Sequence, residues 1–525
     1  METEYAIRYE PVNPLVPERP RKETVFQYLG AALVDRLGGA VGKDGYFLGN
    51  GSAISFELPF FEERDSGLFE MATPECAGPA QLLLYQVAQD RLLEEVLPEA
   101  RIRIGEKWHY HGSLGLLKNC KDARDEVYGV QENYEAEVGS GLHLWLRRLL
   151  FFPLAAPLLL VNALNFLCYH ACELYSRAVG MAESEEAQLH DRVTRVGIRA
   201  VGILSKPLVL LLRKTCFVTV RKEMPAFLVS RVILIGAGTL NSDGTFELSE
   251  RATSINCVVD SYRITDRCLI WLGHIGDKAI RTFQGDFDIT SQLRRTGRLQ
   301  LGCSEANMCQ RAEYLKLATT CLVLDMIESG FLREAPQLVD PVAAIKTVSK
   351  DLSLSVDLEL EDGSKLSALE LQRWYLKRAQ QFVKETKPIS LEGTRLVELW
   401  RETLNQLETE PAKLFGSLDW ITKRILLSRS QDQPIEVRKK IDLKYHELGV
   451  GYYRHLEKAE AVERLVSEEE VRLAMREPPQ GTPALSRSRA IQRLSGQEAV
   501  FDWHQARVGR SFKGRVLPFR RPADE

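Results

Sequence analysis

Two short stretches, METEYAI at the start of the chain and NGSAISFEL at residues 50–58, alternate in a way that limits what the chain can become. In the second, Ile54, Phe56 and Leu58 fall on one side of an extended segment, and Ser55 and Glu57 fall on the other. In the first, Glu2 and Glu4 project to a common side. Such segments build a sheet with one apolar face to be covered and one polar face carrying carboxylates. Further acids follow at Glu62, Glu63, Asp65, Glu70 and Glu75. Carboxylates gathered on one surface repel each other unless a cation neutralises them, and hard oxygen ligands suit magnesium or manganese. Protein-bound Mg²⁺ commonly shares its shell with substrate phosphates, so the pattern points to a nucleotide site. A solvated acidic face and loop is the plainer alternative, since charged side chains are mostly exposed.

The chain has 525 residues, 45% hydrophobic and 27% charged, which suits a large soluble domain with one or more smaller ones. A net charge of -3 gives no reason to expect nucleic acid as a partner. The ten cysteines include no CxxC pair, a pattern of reduced thiols in a cytoplasmic protein rather than of disulfides or zinc. The polar opening strand is unlike a signal peptide. His109 and His111 form an HxH on a strand-like stretch, without the further ligands that a metal site needs.

Periodicity predicts helices at 23–37, 80–97, 366–384 and 393–407. It predicts strands ending at Lys118 and Asn119, starting at Glu132, along FELSERA with Arg251, and over 351–361 before a turn at Asp362–Gly363. Asp65 stands in an extra stretch between the acidic motifs, where it could be a substitute acid for the site, but an exposed loop acid is the favoured reading. Residues 142–220 break the pattern. From 149 to 169 there are 21 residues with no charge, long enough to span a bilayer, and Arg147 and Arg148 precede them. Pro153, Pro157, Asn162 and Asn165 weaken that run as a free membrane helix. Residues 196–220 carry Arg199, Lys206, Arg213 and Lys214 and read as amphipathic. A buried helical hairpin, a membrane-dipping anchor and a partner-binding module all fit. From about 431 the chain turns strongly charged, as a small C-terminal domain of short helices ending in a basic tail.

Taken together, these segments resemble the Pup–protein ligases (PafA) and Pup deamidase/depupylases (Dop). METEY resembles that family's opening strand, and NGSAISFEL followed by FEMATPEC resembles its two acidic motifs. LKNC, YGVQENY, PAFLVSR, FELSERA, EANM, LVLDMIE, DPVAAI, LDWITKRILL, DLKYHELG and FDWHQARV follow in family order. The resemblance covers most of the chain outside 138–222. It implies an α+β, glutamine-synthetase-like antiparallel sheet with packed helices over 1–141 and 221–430. A hydrophobic helical insertion at 142–220 and a small C-terminal domain at 431–525 complete the chain.

The implied reaction is ATP- and Mg²⁺-dependent. The C-terminal glutamate of a small ubiquitin-like protein, Pup, is phosphorylated, and a target lysine displaces the phosphate to leave an isopeptide bond, a step toward proteasomal degradation. Activation is needed because a carboxylate is a poor electrophile. Metal is needed because two anions must meet, and a carboxylate base because the lysine arrives protonated. Carried over by resemblance, Glu57 is the catalytic carboxylate. Glu2, Glu70, Glu4 and Glu132 are metal ligands, and Thr73, Trp503 and Arg251 contact the nucleotide, with Asn119 a further candidate. Tyr445 and His446 match a family motif in a structural role. Three positions depart from the family. Ala53 replaces an ATP-contacting arginine, Ser55 a metal-binding tyrosine, and Glu57 an aspartate. The extra methylene of Glu57 moves its carboxylate by about 1.5 Å, and misplacement of that size can cost on the order of 100-fold in rate. The short gap between opening strand and NGSA favours the ligase. A deamidase/depupylase hydrolase of the same bond, and a degenerate nucleotide- or Pup-binding protein without turnover, are the alternatives. The expected location is the cytoplasm, with membrane contact through 142–220.

Overall fold

The structure is a computed structural model, described for residues 1–10, 19–42, 45–57, 67–180, 183–260, 265–272, 293–386, 391–509 and 515–519. Glu62, Glu63 and Asp65, most of the proline-rich turn after the first strand, and the run from 273 to 292 lie outside the described residues. The alternating segments do form strands: β1 (Glu2–Glu10), β2 (Gly39–Val41), β3 (Gly45–Leu48), β4 (Ala53–Glu57), β5 (Leu68–Ala72), β6 (Ser113–Leu117) and β7 (Val130–Glu137). A hairpin of β8 (Thr239–Leu240) and β9 (Phe246–Glu247) precedes β10 (Cys257–Val259), β11 (Cys268–Trp271) and β12 (Thr296–Leu301). One ten-stranded sheet runs β10-β11-β12-β7-β1-β5-β4-β3-β2, with β6 attached to β1. The β10–β11 pair is parallel, and the other pairings are antiparallel. The expected α+β class with a mostly antiparallel sheet and packed helices is the observed one.

β1 organises the sheet because it is long enough to be used twice. Its first residues pair with β7 on one side and β5 on the other, and Ala6–Glu10 pairs with β6. The apolar face of β1, β4 and β5 presents Tyr5, Ile54, Phe69 and Met71 to the helices Lys22–Leu37 and Pro79–Trp108, whose Leu29, Leu33, Leu92 and Val96 are fully covered. Each such side chain contributes about 1.5–3 kcal/mol on burial. The other half of the sheet packs Leu269, Ile270, Leu299 and Leu301 on Gln310–Glu328 and its neighbours. Ala368–Glu385 begins with a capping box, in which Ser367 and Glu370 satisfy each other's exposed backbone N–H groups.

Several local expectations are corrected. The alternating 351–361 segment is only the two-residue β13 (Leu358–Glu359), paired with β14 (Lys365–Leu366) around Gly363 at φ 82°. FELSERA yields strand only at β9, and Arg251 stands at the start of a 3-10 turn. His109 is a left-handed cap at the end of Pro79–Trp108, not a strand residue. The stretch 435–475 has no core of its own. Tyr445 and Tyr453 join the main core, while Leu448 and Val471 join the first helical layer. A separate cluster arises only further on, where helix Pro483–Arg493 packs with β15 (Ala499–Phe501), β16 (Gln505–Val508) and β17 (Arg515–Pro518) against Phe47. Part of the expected basic tail is therefore strand.

The insertion is helical: Gly141–Val179, Glu183–Leu204 and Lys206–Thr215. Pro153 and Pro157 lie inside the first helix. Phe151, Ala155 and Leu158 are buried with Leu208, Leu211 and Leu212 in the main core, so the hairpin is rooted at one end. Only 18% of its most apolar 18-residue window is buried, which removes the reading as a buried core hairpin.

Candidate active site on the polar face of the sheet

Register brings the acids together. Glu4 stands opposite Glu70, and Glu70 stands opposite Ser55. Glu57 lies two residues along β4 from Ser55, so it reaches Glu70 on the diagonal. One carboxylate oxygen from each of Glu4, Glu57 and Glu70 lies within 4.8 Å of the other two. Among the described residues no other group of three His, Cys, Asp or Glu side chains converges in this way. Octahedral Mg²⁺ with oxygens at 2.0–2.1 Å sets neighbouring ligands about 3 Å apart and opposed ones about 4.2 Å apart. The three oxygens, all within 4.8 Å of one another, would have to draw closer to share such an ion.

Hydrogen bonds hold two of the three. Ser55 Oγ donates to Glu70 Oε1 at 2.8 Å, and the Gly129 N–H donates to Glu4 Oε2 at 2.7 Å. Without a counter-ion the three carboxyls cling to protons. Burial, then the charges of Glu2 and Glu57, hold Glu70 well above the usual carboxylate range. Burial also raises Glu4, against the Gly129 bond and the nearby Arg251 charge. Glu57 is exposed as a residue, but its carboxyl end is the crowded part. Desolvation there, with the neighbouring Glu4 charge second, pushes it up to about 7.

An aromatic wall stands at the other end of β4. Ala53, on the same face as Ser55 and Glu57, packs in the cluster that contains Trp503 and Phe47. Trp503 meets Phe47 edge-on at 5.1 Å, and the fully buried Arg487 guanidinium lies 4.7 Å from the Trp503 ring and 5.1 Å from the Phe47 ring. Arg487 also donates to both oxygens of Glu75 and to the carbonyls of Gly51 and Trp503. Four residue steps along the strand, about 13 Å, separate Ala53 from Glu57. An extended nucleoside triphosphate could lie along that line, base toward Trp503 and phosphates toward the acids.

Other expected ligands are placed elsewhere. Glu132 is not on the acidic face. It is fully buried on the helical side of the sheet, where Arg231 donates to its two oxygens at 2.7 and 3.0 Å. The alternation of β7 carries the signal: Val130, Glu132, Tyr134 and Ala136 are buried and share one face. Glu2 shares the polar face, but Arg298 Nη2 donates to both its oxygens at 2.9 and 3.1 Å, so its charge is already met. The Thr73 hydroxyl is buried and accepts from the Met1 amino group at 2.8 Å. The two Nη groups of Arg251 donate to the carbonyls of Tyr128 and Gly302, both at 2.8 Å, so it braces the strand ends beside Glu4 instead of facing outward. Asn119 is buried and donates to the Lys121 carbonyl.

Behind the site a buried polar network fixes the turn that carries Arg251. Glu305 accepts from Ser249 and from the backbone of Glu250 and Arg251. Lys423 faces Glu250 at 3.4 Å, Asp442 at 2.6 Å and His446 Nε2 at 3.0 Å. Burial pushes Glu250 up to about 8 despite Lys423. His446 and Tyr445 are fully buried, in keeping with a structural role.

Residues 1–507 match the family described as Pup-ligase protein. The chain belongs to that family. It is 27% identical over 467 residues to the Pup–protein ligase of Mycolicibacterium smegmatis, covering 86% of this chain and 83% of the relative. To the depupylase of Acidothermus cellulolyticus it is 32% identical over 305 residues, 55% of this chain and 58% of that protein. The crystal structure of the complex between Prokaryotic Ubiquitin-like Protein Pup and its ligase PafA aligns over 99% of this chain and 88% of that one, with a TM-score of 0.71 at 20% identity. PafA in complex with ADP aligns with a TM-score of 0.65 at 20% identity, over 97% of this chain and 93% of that one. The Pup-ligase family assignment thus agrees with the resemblance carried by the motifs. Arg298 and Arg487 are the site-forming residues that sequence reading missed. Their acidic partners, Glu2 and Glu75, are 296 and 412 positions away in the chain.

Proposed function

We infer that this chain is an ATP- and Mg²⁺-dependent ligase. It joins the C-terminal glutamate of a small Pup-like protein to a lysine of a target protein. The observation that carries this reading is the convergence of Glu4, Glu57 and Glu70 on the polar sheet face of a Pup-ligase family member. Magnesium, when bound there, would screen the approach of one anion to another. The chain's own residues do the rest. Glu70 and Glu4 hold the ion, with Ser55 and the Gly129 N–H fixing their carboxylates. Glu57, raised to about 7 without an ion, would be held ionised by the neighbouring Mg²⁺ and could then take the proton of an arriving lysine at its carboxylate oxygen. Trp503 and Ala53 offer an apolar wall to the base. The ten cysteines are all free, which fits a reducing compartment such as the cytoplasm.

Hydrolysis of the same bond is the second reading, favoured by the depupylase relative but over a shorter stretch of chain. The deciding experiment has two stages. Nucleotide binding is first measured with and without Mg²⁺ for the full chain and for Glu70→Ala. Magnesium-dependent binding that is lost in the variant supports the enzyme reading, and absence of ATP binding in both proteins overturns it. Incubation with a small protein ending in Glu, and with one carrying an isopeptide-linked lysine, then separates ligation from cleavage.

A further inference from the structure

The helices at 141–215 expose a surface that the ligase reading does not use. Phe152, Leu159, Leu160, Leu164, Phe166 and Leu167 are each 42–62% exposed. The exposed residues include adjacent pairs such as Leu159 and Leu160, so apolar surface covers both flanks of the helix instead of one stripe. A rigid protein partner covers one flank of a helix, whereas a fluid hydrocarbon phase covers both. The uncharged run of 21 residues from 149 to 169 is about 30 Å long, and beyond Leu158, its last residue in the main core, it offers a lipid surface a continuous apolar length. Trp145, 57% exposed, and Tyr169, 43% exposed, stand at its two ends, where amphipathic rings favour a lipid–water boundary.

The companion helix decides the orientation. It runs back beside the apolar run, with Gly197 against Asn165. Arg192, Arg195 and Arg199, spaced i, i+3 and i+7, are all exposed on it. A hairpin crossing the bilayer would carry these three guanidiniums into hydrocarbon, which is costly. A hairpin lying flat keeps them at the headgroups. Over 141–215 there are nine Lys and Arg against five Asp and Glu. Four of the acids lie on the companion helix, where Asp191 pairs with Arg195. The basic excess that favours an anionic surface therefore lies at the rooted end, with Arg148, Lys206 and Lys214 exposed there.

We propose that the helical hairpin 141–215 is an interfacial membrane anchor. It lies in the plane of a bilayer rich in anionic lipid, with the first helix among the acyl chains and Arg192, Arg195 and Arg199 at the lipid phosphates. The buried contacts of Phe151, Ala155 and Leu158 make the anchor continuous with the main core, so the catalytic sheet would be held at the membrane surface.

The test is flotation of the full chain on density gradients, which separates vesicle-bound protein from aggregates that sink. Vesicles are phosphatidylcholine alone, or phosphatidylcholine with about one-third phosphatidylglycerol. The expected result is flotation with the anionic vesicles, weaker with neutral ones and weakened by salt. Two surface variants, Leu160→Glu with Leu167→Glu, and Arg192→Glu with Arg195→Glu and Arg199→Glu, should each reduce it by about tenfold or more. Both should keep the wild-type nucleotide binding, which reports an intact fold. No flotation, or flotation indifferent to both variants, overturns the proposal. So does a detergent-free dimer that the leucine variant splits without any vesicle binding, which would assign the face to a second copy of the chain.

Discussion

Replacing Glu132 separates a structural carboxylate from a metal ligand. In the structure Glu132 and Arg231 are both fully buried and joined by two hydrogen bonds of 2.7 and 3.0 Å, with Tyr134 donating a third and Thr320 accepting from Arg231 at 2.7 Å. Burial alone would raise the Glu132 carboxyl, but the Arg231 charge and its bonds outweigh this and lower it. Glu132→Ala leaves the guanidinium uncompensated in the core, and breaking such a pair costs about 3–5 kcal/mol. A chain of 525 residues has an unfolding entropy near 1.1 kcal/mol per kelvin at about 2.1 cal/mol/K per residue, so Tm should fall by about 3–5 °C if the chain melts as one unit. A smaller melting unit would shift further. Glu132→Leu combined with Arg231→Met removes both charges and should recover most of the loss. Scanning calorimetry gives the stabilities, and nucleotide titration with and without Mg²⁺ gives the site. An unchanged Tm in Glu132→Ala together with lost magnesium dependence would refute the placement of Glu132 behind the sheet. The sign with pH follows from the lowered carboxyl. The pair's stabilisation is fully present above the ordinary carboxylate value and is lost as pH falls from there through the lowered folded value, so the single variant should flatten the acid side of the stability profile.

Other outcomes follow from the same geometry. Glu57 carries a carboxyl raised from 4.5 to about 7, so its contribution is fully present below pH 4.5 and is lost as pH rises through about 7. The metal-free protein should therefore weaken between those values, Glu57→Gln should remove that slope, and Mg²⁺ should restore stability above neutrality, all measurable by thermal melts across pH. Gly129→Ala would place a Cβ 1.6 Å from Arg251 Nη1, displacing the guanidinium and the N–H that holds Glu4. A loss of about 1–3 kcal/mol in stability is expected, with weaker magnesium-dependent nucleotide binding in titration. Arg487→Ala strips the buried guanidinium from between Trp503, Phe47 and Glu75. Hydrogen exchange should rise in 499–508 before it rises in β1, and an unchanged pattern would rule out the brace.

How much could be read ahead of the structure depended on the range of the interaction. Alternation in METEYAI, NGSAISFEL and VQENYEAE is a local property, because successive strand residues point to opposite faces. It was enough to place Glu4 and Glu57 on polar faces, and it held the sign that Glu132 belongs with Val130 and Tyr134. The uncharged run from 149 to 169 is local in the same sense and dictated a helix. The order of motifs identified the family, since a fold is encoded by its whole succession of segments.

Only tertiary structure could decide which carboxylates meet. Glu4 faces Glu70, and Glu57 reaches it, because β1, β4 and β5 pair in one register, and a slip of one residue would turn every acid to the other side. Glu2 was indistinguishable from Glu4 until Arg298 arrived from a strand far along the chain. Whether the apolar insertion would be buried or left bare depended likewise on what the rest of the fold packs against it. The main core covers one end of it and leaves the greater length exposed. Local pattern determines which face a side chain takes, but the partner on that face is set by pairings hundreds of residues apart.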